Sequence, residues 1–397
     1  MTRPAPHLVT LVLLTALTVL TLNMFLPALP AMRAAFGVSE AVMGRSISLY
    51  MLAAAVLQLV LGPLSDRIGR RPVILGLLAL YVVASVLCLL AQDITLFLLA
   101  RTGQAVAVGG GILASAVVRD MYDGRLAAAK LSLMASAMAV APMLAPMVGG
   151  LLEAAFGWRS VFVAYALLGG GLLVWCMRDL GETHPGGPGQ RMDIGALLRA
   201  RLFWAYVGLQ ALGVGTFYVF LTGAPFVAAD VFGLSPAQLG IALGSTTAGF
   251  ALGAGVSARL VQRLGPMRLI LVGRALPIVG LGAALAYYGA GGTLVVPLFA
   301  STVTVGIGNG LSLANANAGA LSVRPDLAGS ASGINGATAL ALGAALSWAT
   351  TAVLVDSVTP EALLLLMLAT LGLALVMAVA AALWERGETG VSNVRTP

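Results

Sequence analysis

Charge is scarce in this chain. Only 9% of its 397 residues are Asp, Glu, Lys or Arg, against roughly a quarter in ordinary soluble domains. A soluble protein of 40.3 kDa must cover its outside with charge, and 22 basic plus 15 acidic residues do not suffice when 59% of the chain is hydrophobic. A soluble enzyme is excluded, and the covering solvent is lipid. Cysteine and histidine are scarcer still. Cys88 and Cys176 lie inside apolar runs and offer neither a disulfide framework nor a cysteine-rich metal site. His7 and His184 fall in the N-terminal tail and a loop, which leaves no imidazole set, so neither metal nor cofactor is expected. A cleavable signal is not expected either, because the first apolar run, Leu8 to about Ala31, is longer than a signal core and leads into a second span. The formal charge of +7 is scattered through loops rather than clustered on one face, which argues against nucleic acid.

Long apolar runs are abundant. At roughly 20 residues per helical crossing the apolar content leaves room for about ten to twelve spans. Hydropathy divides the chain into twelve, at 8–31, 43–65, 72–92, 95–118, 131–152, 160–178, 203–228, 236–258, 268–289, 293–317, 328–354 and 361–384. The widest gap, 179–202, holds Gly181, Pro185, Gly186, Gly187, Pro188 and Gly189 and reads as a cytoplasmic linker. The expected organisation is an all-α integral membrane protein: a six-helix bundle over 1–178, the linker, and a second six-helix bundle with a short tail over 203–397.

Orientation follows from the basic residues, which are retained on the cytoplasmic side during insertion. With both termini inside, eighteen of the 22 Lys and Arg fall on that side, Arg274 among them. Three fall outside (Arg33, Arg45 and Arg159), and Arg101 alone lies within a span. An odd number of spans would destroy this segregation. A duplication also shows through: Phe25–Pro30 echoes Phe220–Pro225, and Arg67-Ile68-Gly69 echoes Arg263-Leu264-Gly265, at offsets of 195 and 196. Parallel six-span repeats are one of the transporter architectures.

The most specific string is Gly62-Pro63-Leu64-Ser65-Asp66-Arg67-Ile68-Gly69-Arg70-Arg71-Pro72, between the second and third spans. Gly62 allows close helix approach, Gly69 a tight turn, and Asp66 and Arg70 offer opposite charges at a membrane interface. The string resembles the signature loop of the major facilitator superfamily. Arg101-Thr102-Gly103-Gln104 and Val118-Arg119-Asp120 in the fourth span resemble the arginine motif and cytoplasmic ending of its drug/proton antiporter branch. The fifth span carries Ala141-Pro142-Met143-Leu144-Ala145-Pro146-Met147-Val148-Gly149-Gly150, similar to the antiporter motif but with alanine at some glycine positions. Ala328–Gly333 opens the eleventh span as in the bicyclomycin and chloramphenicol resistance subfamily. The resemblance implies two bundles alternating about a central cavity, usually as a monomer. It also implies a cytoplasmic latch in which Asp66 faces the start of the eleventh span and Arg70 pairs with Asp120.

One residue departs from that pattern. Asn23 stands where the subfamily usually has a membrane-embedded Asp, and Asn cannot release a proton. Every acid of the chain maps to an interface or a loop, so proton coupling has no obvious buried carboxylate. Arg101 lies about 9 Å into the fourth span from the outer face and Asn23 about 10 Å from the same face, at 1.5 Å per residue. A basic residue within lipid costs about 3 kcal/mol on insertion scales, so Arg101 faces a cavity or a polar partner. Asn23 and Gln104 are both able to accept from its guanidinium without neutralising it. Tyr218, at the repeat position of Asn23, and Tyr50 and Asn309 complete the candidate substrate contacts. Interhelical hydrogen bonding explains such polar groups equally well, and Pro142, Pro146, Gly149 and Gly150 read as packing residues.

No Walker loop is present, so a transporter of this kind would draw on an ion or substrate gradient. The expected function is export of a small molecule, amphenicol-like drug or metabolite, across the bacterial inner membrane, with protons as the coupling ion that the resemblance implies. Uniport or exchange of an organic anion or amino-acid derivative is the alternative. An integral-membrane enzyme would need clustered acids or a nucleophile and base, which the sparse interfacial acids do not supply.

Overall fold

The computed structural model describes residues 6–122, 124–184, 195–324, 327–354 and 358–392. Among the described residues there is no strand. The α-helices are α1 (Leu8–Asn23), α2 (Leu29–Phe36), α3 (Glu40–Ile68), α4 (Arg70–Leu90), α5 (Ile94–Gly103), α6 (Val108–Met121), α7 (Gly124–Phe156), α8 (Arg159–Asp179), α9 (Gly195–Arg199), α10 (Arg201–Asp230), α11 (Pro236–Leu264), α12 (Pro266–Gly289), α13 (Val296–Ser322), α14 (Ala328–Leu354) and α15 (Pro360–Ser392). The pairs α1/α2 and α5/α6 are single crossings interrupted by 3-10 turns at Leu26–Ala28 and Gln104–Ala107. All twelve predicted spans are therefore helical. Among the described residues eleven are long and apolar enough to cross a membrane, and α7 adds an apolar stretch at Leu144–Phe156. The chain is a multi-pass membrane protein.

The helices outrun the hydropathy limits. α3 starts at Glu40 and continues to Ile68 through Asp66 and Arg67, because backbone hydrogen bonding persists where the apolar signal stops. Positive-φ glycines separate successive helices. Gly69 (φ 107) and Gly265 (φ 79) hold the corresponding turns before α4 and α12, so this echo is shared by the backbone. The other echo is not. Phe220–Pro225 runs straight through α10, whereas at Phe25–Pro30 the helix breaks. Pro27 and Pro30 withhold the N–H groups that the carbonyls of Asn23 and Leu26 would need.

The chain divides into two compact units. The first comprises residues 1–190 and 225–244, the second 191–224 and 245–397. Residues 185–194 of the predicted linker lie outside the described residues, as do Asp123, Asp326 and Asp356; α9 stands in the linker's second half. Leu167 and Val279, both 71% exposed, show how fully apolar side chains face outward. Inside, small residues bring backbones together. A Cβ on Gly273 of α12 would lie 2.6 Å from the carbonyl oxygen of Gly308 on α13, and one on Gly308 2.2 Å from that of Gly273.

Arg274 departs from the sequence expectation. It is fully buried in α12 rather than held in a cytoplasmic loop. The helix begins at Pro266, which puts Arg274 about 12 Å along it at 1.5 Å per residue. Among the described residues Arg101 is thus one of two arginines with no exposed surface.

Candidate functional site

The break in the first crossing shapes the site in the first unit. Where α1 ends, the carbonyl of Thr21 accepts from Arg101 Nη2 (2.8 Å) and from the Tyr165 hydroxyl (3.0 Å), on α5 and α8. Arg101 Nη1 donates to Gln104 Oε1 (2.7 Å), and Gln104 Nε2 donates to Ser85 Oγ on α4 (2.8 Å). The guanidinium also packs on two rings, 3.9 Å from the centroid of Phe25 and 4.6 Å from that of Tyr50. Such cation–π contacts strengthen when desolvated, and Arg101 is wholly buried. It does not snorkel.

Gln104 accepts from Arg101 as the sequence suggested, but Asn23 does not. Asn23 Nδ2 donates to Val19 O (2.8 Å), turning the amide back along its own helix. Five buried side-chain atoms of this unit have no partner among the described residues: Ser46 Oγ, Glu153 Oε2, Asn23 Oδ1, the Tyr50 hydroxyl and Arg101 Nε. The Tyr50 hydroxyl and Arg101 Nε belong to side chains in direct contact, the guanidinium lying 4.6 Å from the Tyr50 ring centroid, and a hydroxyl beside a charged donor suits a small polar or anionic group.

The remaining candidate contacts belong to the second unit. Tyr218 is half-buried on α10, its ring 6.1 Å from that of Phe217. Asn309 on α13 accepts from Arg274 Nη1 (2.8 Å) and donates to Gly213 O on α10 (3.1 Å). Nε and Nη2 of Arg274 have no partner among the described residues. A Cβ on Gly213 would lie 2.3 Å from Arg274 Nη1, so the absent side chain makes room for the guanidinium. Asn315 and Asn317 serve interhelical bonds, to Ser257 (3.0 Å) and from Asn335 (2.9 Å).

The signature string forms an ion-paired turn. Arg70, the first residue of α4, joins Asp66 (Nη1 to Oδ1, 2.5 Å) and Asp120 at the end of α6 (Nε to Oδ2, 2.9 Å), and Nη1 also donates to Ser65 Oγ. Gly69 turns the chain at a φ that side chains disfavour, and a Cβ there would lie 2.6 Å from the Glu182 carboxylate. Glu182 escaped the sequence reading. It follows α8 and accepts from the Arg70 and Arg71 N–H groups (2.8 and 3.1 Å), capping α4 where orphan donors favour an anion. Its only signal was an acid shortly after the sixth span. Gly62 corrects an expectation, because a Cβ there would meet nothing within 4 Å. Its carbonyl accepts from Ser65 Oγ (2.8 Å), a bond open to any residue, so no close helix approach is seen at this glycine.

In α7 both Pro142 and Pro146 sit within one continuous helix. The glycines that follow are packing positions. A Cβ on Gly149 would lie 1.6 Å from Met24 O, and one on Gly150 2.3 Å from Pro236 O at the start of α11.

The Major Facilitator Superfamily model matches residues 11–348. The multidrug resistance protein MdtL of Escherichia coli K12 is 34% identical over 217 residues, covering 53% of this chain and 55% of MdtL. The chain spans about half the length of the curated relatives it matches. Among solved structures, a bacterial homologue of the human lysosomal transporter Spinster, inward-facing and occupied, superposes with a TM-score of 0.78 at 18% identity over 96% of each chain. The nucleoside transporter NupG gives 0.74 at 14% identity, over 94% of this chain and 98% of NupG. With its helical order, signature turn and this match over most of its length, the chain belongs to the major facilitator superfamily.

Proposed function

We propose that this chain is a secondary active transporter that exports small molecules, amphenicol-like drugs or metabolites, by alternating access. The observation that carries this reading is the polar region beside Arg101. Asn23 Oδ1, Tyr50 OH and Arg101 Nε remain unpartnered within an apolar helical unit, where leaving polar groups unmatched is costly unless a ligand meets them. In this reading those three contact substrate and Gln104 fixes Arg101; within the second unit, Tyr218 and Asn309 are the proposed polar contacts. The turn at Asp66, Gly69, Arg70 and Asp120 is the latch that sets the balance between states. The family and the name of MdtL support export. The biased basic residues support a bacterial inner membrane location with both termini cytoplasmic, and a monomer is assumed. Coupling to protons runs through an interfacial acid such as Asp66 or Asp120, or through a proton carried by the substrate.

The purified protein in proteoliposomes tests this. Adding chloramphenicol or a small organic anion to vesicles holding a pH gradient is expected to dissipate the gradient with movement of the labelled compound. Movement of compound without protons would replace antiport by uniport or exchange. No movement of any compound would overturn the reading.

A second reading, uniport or exchange of an organic anion, draws on the two buried arginines. Among the described residues no carboxylate pairs with either Arg101 or Arg274, so each unit holds an uncompensated positive charge.

A further inference from the structure

A second ion-paired cluster lies in the first unit, at the end predicted to face outward. Arg33 of α2 pairs with Glu40, the first residue of α3, and makes a two-pronged bond to Asp230, the last residue of α10 (Nη1 to Oδ2, 2.7 Å; Nη2 to Oδ1, 3.0 Å). The three side chains are 23%, 21% and 30% exposed, so the cluster is sheltered rather than loose on the surface. Arg33 also stands 5.9 Å from the ring centroid of Phe226. Bidentate pairing of this kind fixes geometry as well as charge.

The position of Asp230 gives the cluster its meaning. Residues 225–244, the end of α10 and the start of α11, pack within the first unit although both helices continue into the second. Besides the ion pairs, this segment is held by close backbone contact: a Cβ on Gly240 would lie 2.4 Å from Pro146 O, and one on Gly150 2.3 Å from Pro236 O. The backbone contacts are short-ranged and carry no charge. Arg33 supplies the directional part of the attachment, because one guanidinium holds the α2–α3 corner and the α10 end together.

We propose that Arg33, with Glu40 and Asp230, is an outer latch: a positioning residue that keeps segment 225–244 on the first unit and must release it when the outer side opens. The proposal rests on the alternating-access reading, and its test does not use transport. Hydrogen exchange of the full-length protein in lipid nanodiscs reads the attachment directly. In Arg33→Gln and in Asp230→Asn, amides of 225–244 are expected to exchange about tenfold faster, as befits loss of charge-assisted hydrogen bonds, while those of 70–90 stay unchanged. The exchanged pair Arg33→Asp with Asp230→Arg restores slow exchange, which general damage to the fold would not do. If Arg33→Gln aggregates, Arg33→Lys carries the test: it keeps the charge, loses the two-pronged geometry, and gives an intermediate rate. Wild-type exchange in Asp230→Asn and Arg33→Lys, or no rescue by the exchanged pair, would overturn the latch. Faster exchange in the variants, together with no movement of any compound by the wild type, would count against the transport reading and leave the latch standing.

Discussion

Among the described residues two arginines are wholly buried, Arg101 in the first unit and Arg274 in the second, and they are held in opposite ways. Arg101 has both terminal nitrogens engaged and an aromatic ring against the guanidinium on either account of Phe25 and Tyr50. Arg274 is anchored by Asn309 alone and leaves Nε and Nη2 without a protein partner among the described residues. Removing a charge from water costs several kcal/mol unless hydrogen bonds replace its hydration. Arg101 meets that requirement by completing the broken end of α1, so it builds the polar region around itself. Arg274 does not meet it, and its burial is a cost that packing leaves uncompensated. Similar charge in similar surroundings therefore serves as framework in one unit and as an unmatched centre in the other.

The comparison predicts unequal responses to mutation. Arg101→Ala has the largest effect: it strips Gln104 Oε1 of its partner, halves the support of the Thr21 carbonyl and leaves a cavity beneath two rings. A loss of about 3 kcal/mol or more is expected, measured as lower thermal unfolding of the protein in nanodiscs. Gly213→Ala comes next, at about 2 kcal/mol, because its Cβ would collide with the Arg274 guanidinium. Adding Arg274→Met should relieve most of that cost, and simple additivity in the double variant would show that the two residues do not share the site. At the signature turn, Gly69→Ala should cost about 1–2 kcal/mol from its left-handed φ and the crowding of Glu182. The smallest change belongs to Arg274→Met alone. Replacing an unpaired buried charge by an apolar side chain should leave stability within about 1 kcal/mol or raise it. A fall as large as that of Arg101→Ala would erase the distinction between the two arginines.

Much of the architecture was legible because lipid imposes long apolar runs. The helices over all twelve predicted stretches follow from apolar length, the turn at Gly69 from its glycine, and the burial of Arg101 from its place in an apolar run. The failures share a cause: hydropathy reads composition and is blind to which way a side chain points. Counting charges by side grouped Arg274 with Arg259, Arg263 and Arg268 as cytoplasmic although the hydropathy limits 268–289 already enclosed it; α12 starts at Pro266 and buries it. Hydropathy drew 8–31 as one helix although Pro27 and Pro30 interrupt the backbone bonding. Depth alone paired Asn23 with Arg101, but the amide rotamer turns to Val19. Gly62 belonged to a recognisable string, yet its neighbourhood is open. Glu182 was invisible because capping a helix more than a hundred residues away leaves no local pattern.

The most direct test concerns the polar region in the first unit. Uptake of labelled compound by the purified protein in proteoliposomes should be compared between wild type, Tyr50→Phe and Asn23→Ala, using whichever of chloramphenicol and a small organic anion wild type moves. Neither variant touches the bonds that hold Arg101, so both should fold normally and slow transport about tenfold through the loss of a hydrogen bond to substrate. Two stable variants with wild-type rate and KM would contradict the assignment of Asn23, Tyr50 and Arg101 as the substrate site.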